Sequence, residues 1–205
     1  MKLIIISPPD DYPDEHQVVR RLLNQSSATF HLRKPGWGHA QLADYLRHIP
    51  SGLHPRIMVH DHSRLLRSFT LKGVHFTEKR RRQSPQAIEA LKQQTQGCRI
   101  SSAFHRIADI PEPDGLLDDV FLSPIFDSIS KKGYRAAFTH AELRDFLART
   151  GHSVVALGGI DARRIAQAAA LGFKGVAALG AVWMRTVPEN AARALSTICS
   201  GIQAA

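Results

Sequence analysis

The sequence switches again and again between short apolar runs and amphipathic segments, and this alternation restricts the fold more than any other feature. "LIII", Leu3 to Ile6, reads as a strand, and "DEHQVVRRLLNQ" follows with Val18, Val19, Leu22 and Leu23 on one helical face. The pairing recurs as "ATFHLR" with "GHAQLADYLRHI", "PRIMVH" with "SRLLRSF", and "GVHF" with "SPQAIEALKQQT". Ser84 and Pro85 suit the cap and first turn of that last helix. "RISSAF" is a fifth strand with a poorly defined helix after it. "DVFLSPIF" precedes "THAELRDFLART", where Thr139 and Glu142 form a capping box. "SVVALGG" precedes "DARRIAQAAALG", with Asp161 as N-cap and Gly172 as the stop, and "GVAALG" precedes "PENAARALSTICSGI".

Eight consecutive β-α units predict a (β/α)8 TIM barrel rather than an open doubly wound sheet. The last three strands are apolar nearly throughout, as strands covered on both faces must be. With 205 residues and no linker or low-complexity stretch, a single compact domain over 1–205 is expected. In such barrels the chemistry lies where strands end and helices begin. That places "SPIFDSISKKGY", residues 123–134, on the active face.

Charge narrows the partner. The net charge is +9, which favours an anionic ligand, either nucleic acid or a small phosphorylated molecule. The densest basic run is "EKRRRQ", Glu78 to Gln83, read as a solvated loop. No aromatic residues interleave with it, as a single-strand platform requires, so no nucleic acid is expected. No apolar run reaches the ~20 residues that span a bilayer, and the start of the chain is too short in apolar residues for a signal peptide. Cys98 and Cys199 show no metal or redox spacing. They read as reduced thiols of a cytoplasmic protein, with homo-oligomerisation left open.

"ALGGID" and "ALGAV" end the seventh and eighth strands in glycine. Glycine lets backbone approach a ligand, and the N–H groups at a helix start favour an anion. Gly158, Gly159, Gly180 and Ala181 are therefore the candidate phosphate cradle, against the plainer reading of tight turns alone.

The pieces "FHLRK", "MVHD", "GVHF", "VFLSPIFDSISKKG", "VVALGGI" and "GVAALGAVW", in this order, resemble the thiamine-phosphate synthase/TenI superfamily over nearly the full length. The resemblance implies a ligand that is a thiazole phosphate or thiamin phosphate. It implies one of two activities. A synthase joins a pyrimidine diphosphate to a thiazole phosphate with loss of pyrophosphate, using Mg2+. A TenI-type tautomerase shifts a proton to aromatise a carboxylated thiazole phosphate, with no cofactor.

The synthase pattern is partly kept. His31 stands where the synthases carry glutamine, while Arg33 and Lys34 remain as candidate substrate cations. The third strand ends His60-Asp61 in place of Asn-Asp, and Asp61 is the metal ligand a synthase would use. Arg80 falls where a second aspartate is expected, and a guanidinium cannot ligate magnesium; Glu78 could substitute only if its loop shifts. Ala103 replaces a serine, whereas Ser128, Ser130 and Lys131 match the family's substrate-binding sixth loop. His31 with Arg33 matches the TenI branch, and His105 falls on that branch's catalytic histidine, a residue suited to proton transfer near neutral pH. His75 reads as a structural or barrel-mouth residue. The tautomerase is thus the leading expectation, with the synthase as its alternative. A non-catalytic thiazole- or thiamin-phosphate binder is the rival from another class.

Overall fold

In the computed structural model, which describes residues 1–95, 97–127, 129, 133 and 135–202, eight parallel strands close into a barrel in sequence order. They are β1 (Lys2–Ile6), β2 (Thr29–Leu32), β3 (Ile57–His60), β4 (Gly73–Phe76), β5 (Arg99–Phe104), β6 (Asp119–Leu122), β7 (Val154–Leu157) and β8 (Gly175–Ala178). β1 closes the ring on β8, with Ile4 beside Ala177 and Ile5 beside Ala178. Around it lie α1 (Glu15–Gln25), α2 (His39–Arg47), α3 (Glu78–Gln83), α4 (Gln86–Gln94), α5 (His140–Arg149), α6 (Ala162–Leu171), α7 (Gly180–Trp183) and α8 (Pro188–Gly201).

The strands alternate strictly between two cores, because successive side chains in a strand point to opposite faces. Leu3, Ile5, Phe30, Leu32, Val59, Val74, Ile100, Val120, Val154 and Val176 point outward and pack under the helices. Ile4, Ile6, Phe121, Val155 and Ala177 point inward and fill the barrel. His31, His60 and His75 have the inward parity, so strands β2, β3 and β4 put imidazoles where β1, β6 and β8 put hydrocarbon.

Local rules fix several junctions. Thr139 Oγ1 accepts from the Glu142 N–H at 3.2 Å, and Glu142 Oε2 accepts from the Thr139 N–H at 2.8 Å. Asp161 Oδ1 accepts from the N–H groups of Arg163 and Arg164, and Gly172 ends α6 at φ 108°.

Other expectations are corrected. Ser84 makes no side-chain cap; Pro85 holds the N-cap position of α4. "SRLLRSF" forms a 3-10 turn over Ser63–Arg67, not an α-helix, and the fifth strand is followed by only a 3-10 turn, Ile107–Asp109. The sixth strand stops at Leu122, after which a cis Ser123–Pro124 peptide turns the chain.

The basic run is helix α3, not a loop, because Thr77 caps it by accepting from the Arg80 N–H. Its charges diverge. Arg82 pairs with Glu78 and Asp109, Arg81 stacks on the Phe104 ring at 3.9 Å, and Lys79 and Arg80 are exposed. The acidic start of β6 sits at the opposite end from the cavity described below. There Asp119 accepts from Lys2, Arg99 and Ser153 and knits the bottom of the barrel. Both cysteines are free, Cys199 buried and Cys98 partly so.

Candidate active site

The C-terminal ends of the strands open into a cavity of about 500 Å³. The turns after β7 and β8 both reach it, through Gly158, Gly159, Leu179 and Gly180. The first of these turns requires glycine. Gly158 has φ 99° and Gly159 φ 66°, and a Cβ on Gly159 would fall 2.3 Å from the Asp127 carbonyl oxygen. Arg164 Nη1 bonds both that carbonyl, at 2.9 Å, and the Gly159 carbonyl, at 2.8 Å, which holds the turn against the sixth loop. Among the described residues, the N–H groups of Gly159, Gly180 and Ala181 donate to no backbone carbonyl outside their own elements, so they are available to an anion. Ala181 is buried within α7 and does not reach the cavity wall.

Across the cavity stand Arg33, Thr77, Glu78, His105 and Ser123. His105 Nδ1 lies 3.0 Å from the Ser123 carbonyl, which only accepts, so Nδ1 carries a proton. Nε2 is then the ring's acceptor nitrogen. It faces Glu78 Oε2 at 3.5 Å, and Glu78 Oε1 is held by Arg82 at 2.6 Å. The Arg33 guanidinium lines the cavity and makes no ion pair among the described residues.

Other sequence candidates are placed elsewhere. Lys34 is a correction. Its ammonium is buried, donating to Glu15 and to the Asp10 carbonyl, and it does not line the cavity. Tyr45 donates to the other Glu15 oxygen at 3.0 Å, and burial, outweighing Lys34, pushes the Glu15 carboxyl above the usual range. The cause is local. β2 ends beside α1, and a carboxylate buried there needs a cation.

His31 is 2% exposed and lies inside the barrel, 3.2 Å from His60 Nε2, off the cavity lining. Asp61 is also off the lining. Both its oxygens accept from Thr77, one from the N–H at 2.8 Å and one from the hydroxyl at 2.7 Å. Ser128, Ser130 and Lys131 lie outside the described residues. Arg80 is exposed and does not reach the cavity, so it is no obstacle to a cation there.

Sequence reasoning passed over Thr77 and admitted Glu78 only as a substitute metal ligand that needed a shifted loop. The signal was available, since both follow directly after a strand end, on the active face. His60 and His75 line the cavity floor as well. His75 Nδ1 is held by Ser101 Oγ at 2.9 Å.

A parallel eight-stranded barrel with glycine turns at β7 and β8, and a histidine and a carboxylate on the same cavity, defines a TIM-barrel protein with its candidate site at the C-terminal ends of the strands. The sequence model of the thiamine monophosphate synthase family matches residues 3–182, and the chain belongs to that family. It is 23% identical over 194 residues to a thiamine-phosphate synthase of Pediococcus pentosaceus, covering 89% of this chain and 87% of the relative. It is 24% identical over 187 residues to one of Leuconostoc citreum, covering 84% of each. Among solved structures, thiamine phosphate pyrophosphorylase of Bacteroides thetaiotaomicron superposes with a TM-score of 0.79 at 25% identity, over 98% of both chains. The corresponding protein of Pyrococcus furiosus gives 0.79 at 18% identity, over 97% of this chain and 95% of its own.

Proposed function

We propose that this protein is a transferase of thiamin biosynthesis that couples a pyrimidine diphosphate to a thiazole phosphate with release of pyrophosphate. The observation that carries the reading is the cavity itself. Gly159, Gly180, Arg33 and Glu78 all line one cavity of about 500 Å³, room for small phosphorylated substrates. The names of the relatives support this transfer chemistry over the proton shift that the sequence motifs alone suggest.

The thiazole phosphate sits against the β7 and β8 turns, where backbone donors meet its charge without a long side chain. Arg33 meets the diphosphate from the opposite wall, as a fork of N–H donors suited to phosphate oxygens. Ser128, Ser130 and Lys131 belong to the same proposal through their place in the sixth loop. Lys34 contributes by holding β2 and α1 together rather than by touching substrate.

Magnesium binds through oxygen, commonly one or two carboxylates plus substrate phosphates. Glu78 fits that role as a carboxylate on the cavity wall, while Asp61 is engaged by Thr77. When bound, the ion neutralises charge on the diphosphate.

A second reading is favoured by one contact. His105, fixed through Nδ1 and facing Glu78 through Nε2, is arranged to carry a proton, as a thiazole tautomerase requires. One panel on purified protein separates the readings: coupling with and without magnesium, tautomerisation of the carboxylated thiazole phosphate, and titration with thiazole phosphate. Magnesium-dependent formation of thiamin phosphate is expected. Tautomerisation without coupling moves the assignment to the isomerase. Binding without either reaction makes the protein a carrier, and failure to bind thiazole phosphate overturns the proposal.

A further inference from the structure

Three consecutive strands aim histidines at one point. His31 ends the inward face of β2, and His60 and His75 stand side by side as register partners on β3 and β4. One ring nitrogen from each lies within 4.8 Å of the other two, and all three residues are buried. Phe121 packs against the rings of His31 and His75, with ring centroids at 5.2 Å and 4.7 Å.

We propose that His31, His60 and His75 form a site for a divalent transition-metal ion of the zinc class at the floor of the cavity. It is distinct from any magnesium carried by a diphosphate, and it does not rest on the coupling reaction.

Two observations carry it. First, His31 Nδ1 and His60 Nε2 are 3.2 Å apart. Two imidazoles on a tetrahedral zinc, at about 2.0–2.1 Å each, place their nitrogens roughly 3.3 Å apart. Without metal, one proton must lie between the two rings; a cation replaces it with no large movement. Second, Ser101 Oγ holds His75 Nδ1 at 2.9 Å, which directs Nε2 of that ring inward. Ligating histidines are usually oriented by such a partner on the second nitrogen.

The donor set selects the ion. Three imidazoles and no carboxylate suit zinc, cobalt or nickel and disfavour magnesium, which takes oxygen. Three histidines leave a position vacant, the arrangement of metal sites that bind water or substrate. Because His60 and His75 line the cavity, that position faces its interior. Arg33 lines the same space, and its charge reaches both rings, so an anionic oxygen of the substrate is the fitting fourth ligand.

The test uses untagged full-length protein, stripped with a chelator and then titrated with Zn2+ or Co2+ by calorimetry, with metal content measured by mass spectrometry. One equivalent per chain is expected, with Co2+ giving the intense visible absorption of a tetrahedral site. Excess Mg2+ should not displace it. Ser101→Ala should weaken binding by about 10–100-fold, as loss of an orienting partner does, and His60→Ala by more than that. Should His60→Ala fail to fold, the near-isosteric His60→Gln replaces it, with circular dichroism confirming the barrel. The partly buried His16 and exposed His48 rings, 5.3 Å apart outside the barrel interior, supply the control. No bound metal, binding unaffected in folded His60 variants, displacement by Mg2+, or loss on His48→Ala in their place would each overturn the proposal.

Discussion

His105 Nε2 and Glu78 Oε2 stand 3.5 Å apart on the cavity wall, one residue following β5 and the other opening α3. Ser123 fixes the far nitrogen of the imidazole, so any proton exchanged with substrate passes through Nε2 beside the carboxylate. If the pair handles protons, His105→Asn should lower kcat by about 10²–10⁴-fold with little change in KM, the usual share of general acid–base catalysis. Glu78→Gln should lower tautomerisation less than His105→Asn, yet abolish magnesium-dependent coupling if it is the metal's carboxylate. Steady-state kinetics of both variants in both assays checks this. Full activity in each would remove the pair from the chemistry.

Gly159 should tolerate no side chain. A Cβ there meets the Asp127 carbonyl at 2.3 Å and the backbone has φ 66°. Gly159→Ala should lose about 1–3 kcal/mol of stability through backbone strain. Moved by that clash, the turn should misalign its N–H donor and weaken thiazole-phosphate binding by about 1.5–3 kcal/mol, roughly 10–100-fold. Gly36→Ala is the control, with φ 89° but open space around it. It should show strain in a denaturant titration and no change in ligand affinity.

Lys34 should prove structural. Lys34→Met would leave Glu15 buried without its cation, at a cost of about 3–5 kcal/mol. Adding Glu15→Gln should recover most of that, because the buried charge is removed with its partner. Urea unfolding of the single and double variants makes the comparison. A Lys34→Met protein of unchanged stability and raised KM would restore lysine to the substrate side.

The barrel was legible because its evidence is local. Each β-α unit announces itself by periodicity, and Asp161, Gly172 and the Thr139–Glu142 pair mark helix ends within a few residues. The glycines of the seventh and eighth turns were legible for the same reason, with Ala181 carried along as a neighbour that the structure buries. Roles that depend on distant partners were not. Nothing beside Lys34 reveals Glu15, nineteen positions earlier on another element. His31 was read as a substrate contact through the resemblance of His31 and Arg33 to the TenI branch, which says nothing of its neighbours inside the barrel. Closure of the barrel decides that it meets His60 and His75 instead of ligand. Glu78, two positions from Arg80, was admitted only with a shifted loop, because the sequence did not show that the run is helical and brings its first residue to the cavity.

Acid should unfold this protein unusually steeply in its metal-free form. Burial, the largest cause, holds His31 and His60 well below the ordinary imidazole range and His75 at about 3. Neighbouring charge from Arg33 and Lys72 and from the rings themselves acts in the same direction. In the unfolded chain each histidine takes up a proton near about pH 6.5. Below that point the unfolded state binds protons that the folded state refuses. The stability these rings contribute is therefore fully present above about pH 6.5, and it is lost as pH falls toward the folded values. Each ring adds a slope of up to about 1.4 kcal/mol per pH unit, and the three together about 4. Glu15, whose carboxyl is raised, acts in the opposite sense, favouring the folded state at low pH, but its effect cancels when variants are compared with the parent. Urea unfolding between neutral pH and about pH 5, in chelator, gives the slope. His75→Gln should reduce it by about 1.4 kcal/mol per pH unit, since glutamine carries no proton in this range. An unchanged slope in a folded variant would mean that His75 takes up its proton as readily inside the barrel as in the unfolded chain.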